Sequence, residues 1–220
     1  MSLLTNWGYI IAEDESGDEP TVMDPLLSVE DFNDFTADKY AGDDRIEPNI
    51  KAASSAIRNY CGWHIYPAYS CYFDTTLYDK AVTRVGGGLL IQLPAKYISH
   101  IEAIEIGDTE YTSDSEDTHF VISPNGMIRI FGLDLVGLYQ YTPIKVYYTA
   151  GVPDSLMDGL KELVAHRVTH ALASSGGIQS ETAGGVSITY SANWTNTARS
   201  TALADDNKEV IEPYRLQGVF

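Results

Sequence analysis

Ile46, Ile50, Ala53, Ile57 and Tyr60 recur at intervals of three and four, the spacing that lines one face of an α-helix. This predicts a helix from Asp43 or Asp44 to Cys61, with Pro48 tolerable in its first turns and Gly62 placed as a left-handed C-terminal cap. A second stripe, Leu156, Leu160, Leu163, Val164, Val168 and Leu172, predicts a helix from Pro153 to about Ala173, ended by Ser174-Ser-Gly-Gly177. Ser28 suits the N-cap of a shorter helix, Val29–Phe35, with Asp31 in the capping-box region and Phe32 and Phe35 sharing its buried face. Apolar stripes of this width need a partner, and the two long helices can cover each other. The predicted fold is α+β: a helical core, made of an antiparallel helix pair plus the short N-terminal helix, with an inserted antiparallel β domain and an extended C-terminal arm.

The inserted segment is rich in β-branched and aromatic runs: Ala68–Phe73, Gly88–Leu93, Ile98–Ile106, His119–Ile122, Met127–Phe131 and Pro143–Thr149. Gly107-Asp108 suits a type II′ hairpin and Asn125-Gly126 a type I′ hairpin. Gly86-Gly-Gly88 has no helix after it at phosphate-loop spacing and reads as a turn. The cluster Trp63, His64, Tyr66, Pro67 and Tyr69 reads as packing where the chain leaves the helix.

The chain carries 31 Asp and Glu against 14 Lys and Arg, a net charge of −17. Attraction to DNA phosphates needs clustered bases, so the balance points to protein partners. Much of the excess precedes Pro48, and the run Ala12–Pro20 has no hydrophobic periodicity, so residues 1–27 read as an acidic extension. No apolar run approaches the roughly 20 residues that span a bilayer, and the first residues lack a basic signal segment. The expectation is a soluble protein made in the cytoplasm with no membrane partner.

No catalytic constellation emerges, so no enzyme, cofactor or metal is expected. Nucleophile elbow, Walker loop, H-E-x-x-H and G-x-G-x-x-G patterns are missing from the sequence. His166 and His170, with Glu162 a turn earlier, flank an apolar stripe and read as a helix edge ahead of metal ligands. Cys61 sits at a helix C-terminus, which disfavours its thiolate, and reads as packing. The 15 Tyr and 3 Trp admit a β-rich ligand-binding module, but Trp7, Trp63 and Trp194 are scattered.

Past Gly177, Val186, Ile188 and Tyr190 alternate with small hydroxyl residues, predicting one strand with no sequence-adjacent partner and suiting it to another subunit. The chain closes on Tyr214-Arg-Leu-Gln-Gly-Val-Phe220, whose apolar residues suit a groove on another protein. The expected organisation is an acidic extension at 1–27, a helical core at 28–66 and 152–176, a β domain at 67–151, an inter-subunit strand segment at 177–201 and a docking arm at 202–220.

In this order, the helix Ser28–Phe35, the helix Asp44–Gly62, Leu93-Pro94 with Ile101–Gly107, Val146–Pro153, Gly184–Ser191 and Pro213–Leu216 resemble the head-to-tail connector, or adaptor, family of long-tailed double-stranded DNA bacteriophages. The resemblance spans most of residues 28–216. It implies a structural virion protein at the neck that forms a dodecameric ring between the portal and a downstream stopper or tail-completion protein. DNA would pass through its channel without specific binding. The resemblance also implies that the C-terminal arm grips the portal; in this chain that is roughly Ala202–Phe220, with Tyr214, Arg215, Leu216, Val219 and Phe220 as the expected portal-binding residues. A neck or tail-terminator ring protein of the same virion is the nearest alternative. A helical core would favour the adaptor, and a mainly β fold the alternative.

Overall fold

The computed structural model describes residues 3–13, 22–77, 82–85, 88–112, 119–123, 125–132, 142–173, 180–183, 186–189 and 208–216. Its elements, in order, are β1 (Leu3–Leu4), β2 (Ile10–Glu13), α1 (Val29–Thr36), α2 (Ile46–Cys61), β3 (Tyr69–Asp74), β4 (Val82–Val85), β5 (Gly88–Gln92), β6 (Ile98–Ile106), β7 (Thr109–Thr112), β8 (His119–Ile122), β9 (Met127–Phe131), β10 (Ile144–Ala150), α3 (Asp158–Ala173), β11 (Ser180–Ala183), β12 (Val186–Thr189) and α4 (Lys208–Ile211). They divide into two compact units.

The first unit comprises Met1–Asp24, Gly62–Leu156 and Tyr214–Phe220. It holds a six-stranded sheet in the order β1-β2-β3-β10-β6-β7 and a four-stranded sheet in the order β4-β5-β9-β8, antiparallel throughout. Period-two alternation decides which side is core. Tyr69, Cys71 and Phe73 of β3 and Val146, Tyr148 and Ala150 of β10 point inward, leaving Tyr72, Asp74, Lys145 and Tyr147 on the outer face. Trp63, Tyr9, Tyr69, Tyr148 and Phe73 are among its largest fully buried side chains.

Gly107 has φ +60° between the paired Ile106 and Thr109, as a two-residue II′ hairpin requires. The other predicted hairpin differs. The Gly126 N–H bonds the Ser123 carbonyl and the Ser123 N–H bonds the Met127 carbonyl, so Gly126 is left-handed (φ +80°) while Asn125 is not. A I′ turn would need both residues at positive φ, and of the two only Gly126, which has no Cβ to clash, takes it.

The second unit comprises Pro25–Cys61 and Met157–Pro213. Within it α1 touches α2 and α3, α2 touches α3, and α4 touches α3. The Ser28 hydroxyl accepts the Asp31 N–H at 2.9 Å, capping α1 as its sequence demands. Ile46, Ile50, Ile57 and Cys61 of α2 and Leu160, Leu163, Val164, Val168 and Leu172 of α3 form its interior. Phe32 is fully buried, but Phe35 is 51% exposed, because α1 is short and its last turn lies on the rim of a hollow. Leu156 is half exposed in a 3-10 turn that precedes α3. The strand at Val186 is paired, through β12 with β11, so it has a sequence-adjacent partner after all. Ser180-Glu-Thr-Ala183 offers no apolar alternation by which to recognise that partner.

The expected architecture is therefore corrected. The described chain is mostly β, with four short helices and two large antiparallel sheets, and it shows no helical core built on an antiparallel helix pair with a β domain inserted into it. Two physical reasons account for the error. Helical periodicity is a loud local signal, whereas β1, β4 and β7 are short edge strands recognisable only through their partners. The acid run from Glu13 also masked its neighbours: residues 3–13 supply β1 and β2, and Tyr9 and Ile11 are buried.

Candidate docking surfaces

The predicted arm begins on its own chain. The Trp63 indole Nε1–H donates to the Tyr214 carbonyl at 2.6 Å, and the Tyr214 hydroxyl donates to the Leu156 carbonyl at 2.8 Å. The Tyr97 ring stacks on both, with centroids 6.3 Å from Trp63 and 6.2 Å from Tyr214. The Lys96 ammonium reaches the Arg215 carbonyl at 3.4 Å, and Leu216 lies over Gly62. Tyr214 and Leu216 are thus half-buried seats for the chain end, while the Arg215 side chain is exposed. Val219 and Phe220 lie outside the described residues. Val186 and Ile188 stand in β12 opposite Ala183 and Glu181; Tyr190 also lies outside.

The aromatic cluster at Trp63 is packing of an ordered kind. His64 is fully buried, and its Nε2 lies 2.7 Å from the Ala150 carbonyl. A carbonyl only accepts, so Nε2 carries the proton and Nδ1 is the acceptor for the Tyr9 hydroxyl at 2.7 Å. The Tyr9 oxygen in turn accepts the His64 backbone N–H at 3.0 Å. Trp63 and Tyr69 close edge-on at 5.3 and 5.4 Å, leaving no opening for a ligand at the imidazole.

The two large sheets present outer faces of contrasting chemistry. On the six-stranded sheet, Asp74, Lys145, Glu105 and Glu110 align across β3, β10, β6 and β7. Beside that row the Tyr72 and Tyr147 rings lie 5.0 Å apart. Glu105 accepts from the Lys145 ammonium and the Tyr147 hydroxyl, both at 3.0 Å, and these bonds hold its carboxyl below the usual range. Partial burial pushes both phenols up; the Asp74 charge adds to the shift at Tyr72 and the Glu105 bond to that at Tyr147. On the four-stranded sheet, Leu90, Arg129 and Val121 align across β5, β9 and β8, with Val121 54% exposed. The Arg129 guanidinium sits 5.4 Å over the Phe131 ring. Phe131 has Gly88 opposite it in β5.

In the second unit, Phe35, Lys39 and Tyr40 face Glu162, His166 and Thr169 across an open hollow of about 320 Å³. His166 and Glu162 are 3.5 Å apart, both well exposed. Among the described residues no three His, Cys, Asp or Glu side chains gather as metal ligands, and no helix is long and apolar enough to cross a membrane.

What the surfaces and the seated chain end serve is narrowed by comparison with known families. The sequence model of the head completion protein family matches residues 25–216. The chain belongs to that family. No curated protein matches the chain. Membership makes it a structural bacteriophage protein of the virion, at the head-to-tail junction, in contact with other head and tail proteins. The resemblance to phage head-to-tail connectors drawn from the sequence agrees with this. The matched stretch ends at Leu216, the last residue of the Tyr214 seat, and leaves β1 and β2 outside it. Sequence reasoning missed that seat because Trp63, Tyr97 and Tyr214 are far apart along the chain. Nor did it find the two sheet faces, which exist only once register is known.

Proposed function

We propose that this head completion protein forms a ring beneath the portal, binds the portal through its C-terminal end, and offers its far side to the next neck or tail-completion protein. The family match over residues 25–216 carries the reading. The Tyr214 seat adds to it by fixing where the chain end leaves the first unit, so Val219 and Phe220 are the anchors toward the portal and Arg215 a flanking contact. Val186 and Ile188, in the β11–β12 hairpin, are residues through which neighbouring copies touch, and Tyr190 acts with them. The ring is dodecameric and leaves a channel for DNA. A chain of charge −17 repels phosphates, so the duplex slides through without specific binding. The protein is synthesised in the host cytoplasm and joins the virion at the neck.

The mainly β fold favours one second reading, a neck or tail-terminator ring that sits further from the head. Negative-stain imaging and mass determination of the full chain mixed with the portal of the same phage, with and without residues 217–220, separate the two. A deletion this short spares the Trp63–Tyr214 contacts, so folding is preserved. A ring added to the portal only by the full chain is the expected result. No association with the portal by either form, but association with tail-side proteins, would move the protein to the second position. Equal portal binding by both forms would remove the role given to Val219 and Phe220.

A further inference from the structure

The strands β4, β5, β9 and β8 contain no Asp or Glu at all, in a chain with 31 of them. Their charges are Arg84 and Arg129. Arg129 lies at the middle of the sheet's outer face, exposed, flanked in register by Leu90 and Val121, with its guanidinium over Phe131. The six-stranded sheet of the same unit has the opposite character. Its outer face carries Asp74, Glu105 and Glu110 in one row with a single cation, Lys145, which Glu105 already binds. The neighbouring row is the aromatic pair Tyr72 and Tyr147.

We infer that the outer face of the four-stranded sheet of one copy packs on the outer face of the six-stranded sheet of the next, with Arg129 and Phe131 set against Tyr72 and Tyr147 beside the acidic row. This rests on the ring reading and names the seam between its copies. Three considerations support a second copy as the occupant. At −17, most surfaces of two copies repel, and the acid-free sheet is a surface where that repulsion is relieved. The two faces are complementary in charge, and they bring together side chains of the kinds that dominate protein interfaces, Arg129 and Phe131 from one and Tyr72 and Tyr147 from the other. The faces are also different patches of one chain, so the contact is head-to-tail and repeats from copy to copy until it closes as a ring.

The test is a charge swap, read as the mass and image of portal-bound particles formed by the full chain. Arg129→Glu, on the solvent side of its strand, is expected to fold as the parent does by circular dichroism, and to weaken copy-to-copy association on the order of tenfold or more, so that rings are lost. Combining Arg129→Glu with Glu110→Arg restores opposite charges across the seam and is expected to restore rings. Rings formed by the single variant as readily as by the parent would overturn the seam and leave the ring reading standing. Loss of rings without rescue by the swap would overturn the acidic face as the partner. Failure of the parent chain itself to add several copies to the portal would bring down the ring reading, and the seam with it.

Discussion

Replacing Tyr9 with phenylalanine deletes one oxygen and keeps the ring, so it isolates the hydroxyl's part in holding β2 to the first unit. That oxygen donates to His64 Nδ1 at 2.7 Å and accepts the His64 N–H at 3.0 Å, and both residues are essentially inaccessible to water. The imidazole cannot compensate by flipping its tautomer, because Nε2 must keep its proton for the Ala150 carbonyl. Tyr9→Phe therefore strands a buried N–H and a buried ring nitrogen. Each such group costs about 1–3 kcal/mol, so the loss for the two is about 2–6 kcal/mol. For a chain of this length, at about 2–4 °C per kcal/mol, that corresponds to a fall in melting temperature of roughly 4–24 °C. Near-ultraviolet circular dichroism follows melting through the buried Trp63 and Tyr69, and amide exchange at Ile10 and Ile11 reports whether β2 loosens first. A variant that melts within about 1 °C of the parent, with exchange at Ile11 unchanged, would refute the hydrogen-bond chain and the tautomer deduced from it.

Two further outcomes follow from buried and exposed polar groups. Among the described residues no nitrogen or oxygen pairs with the buried Tyr148 hydroxyl, whose neighbour across the strands is the weakly polar Cys71 sulfur; Tyr148→Phe should leave denaturant stability unchanged or raise it by about 1 kcal/mol, and a clear loss would reveal a stronger bond to that hydroxyl. At Asp43, bonds from the Arg45 guanidinium and backbone N–H lower the carboxyl from its ordinary 3.8 to about 2. Because the folded value is the lower one, this ion pair favours folding above pH 3.8, and the contribution is lost as pH falls through about 2. A carboxyl resonance of Asp43 that titrates near 2 and returns toward 3.8 in Arg45→Ala is the expected nuclear magnetic resonance result; a midpoint unmoved by the substitution would contradict it.

Local chemistry was enough for whatever is encoded within a few residues. The 3.6-residue stripe of α2, the Ser28 cap, the left-handed Gly62 and Gly107, and the runs that became β6, β8 and β9 were legible with close boundaries, because each depends on neighbours in sequence. The same short patterns, in order, were enough to point to the connector family. Tertiary structure alone decided the rest. Edge strands such as β7 have polar sequences and gain their conformation from a partner's backbone, so Thr109–Thr112 has no signal of its own. Tyr9 looked like part of an acidic tail until β2 paired with β3, and Tyr214 looked like a free anchor until Trp63 and Tyr97 closed on it. The acidic row and the Arg129 row are likewise products of register. Strand pairing is a contact between distant residues, and only that pairing sets Asp74, Glu105 and Glu110 side by side or leaves Arg129 on a face without acids.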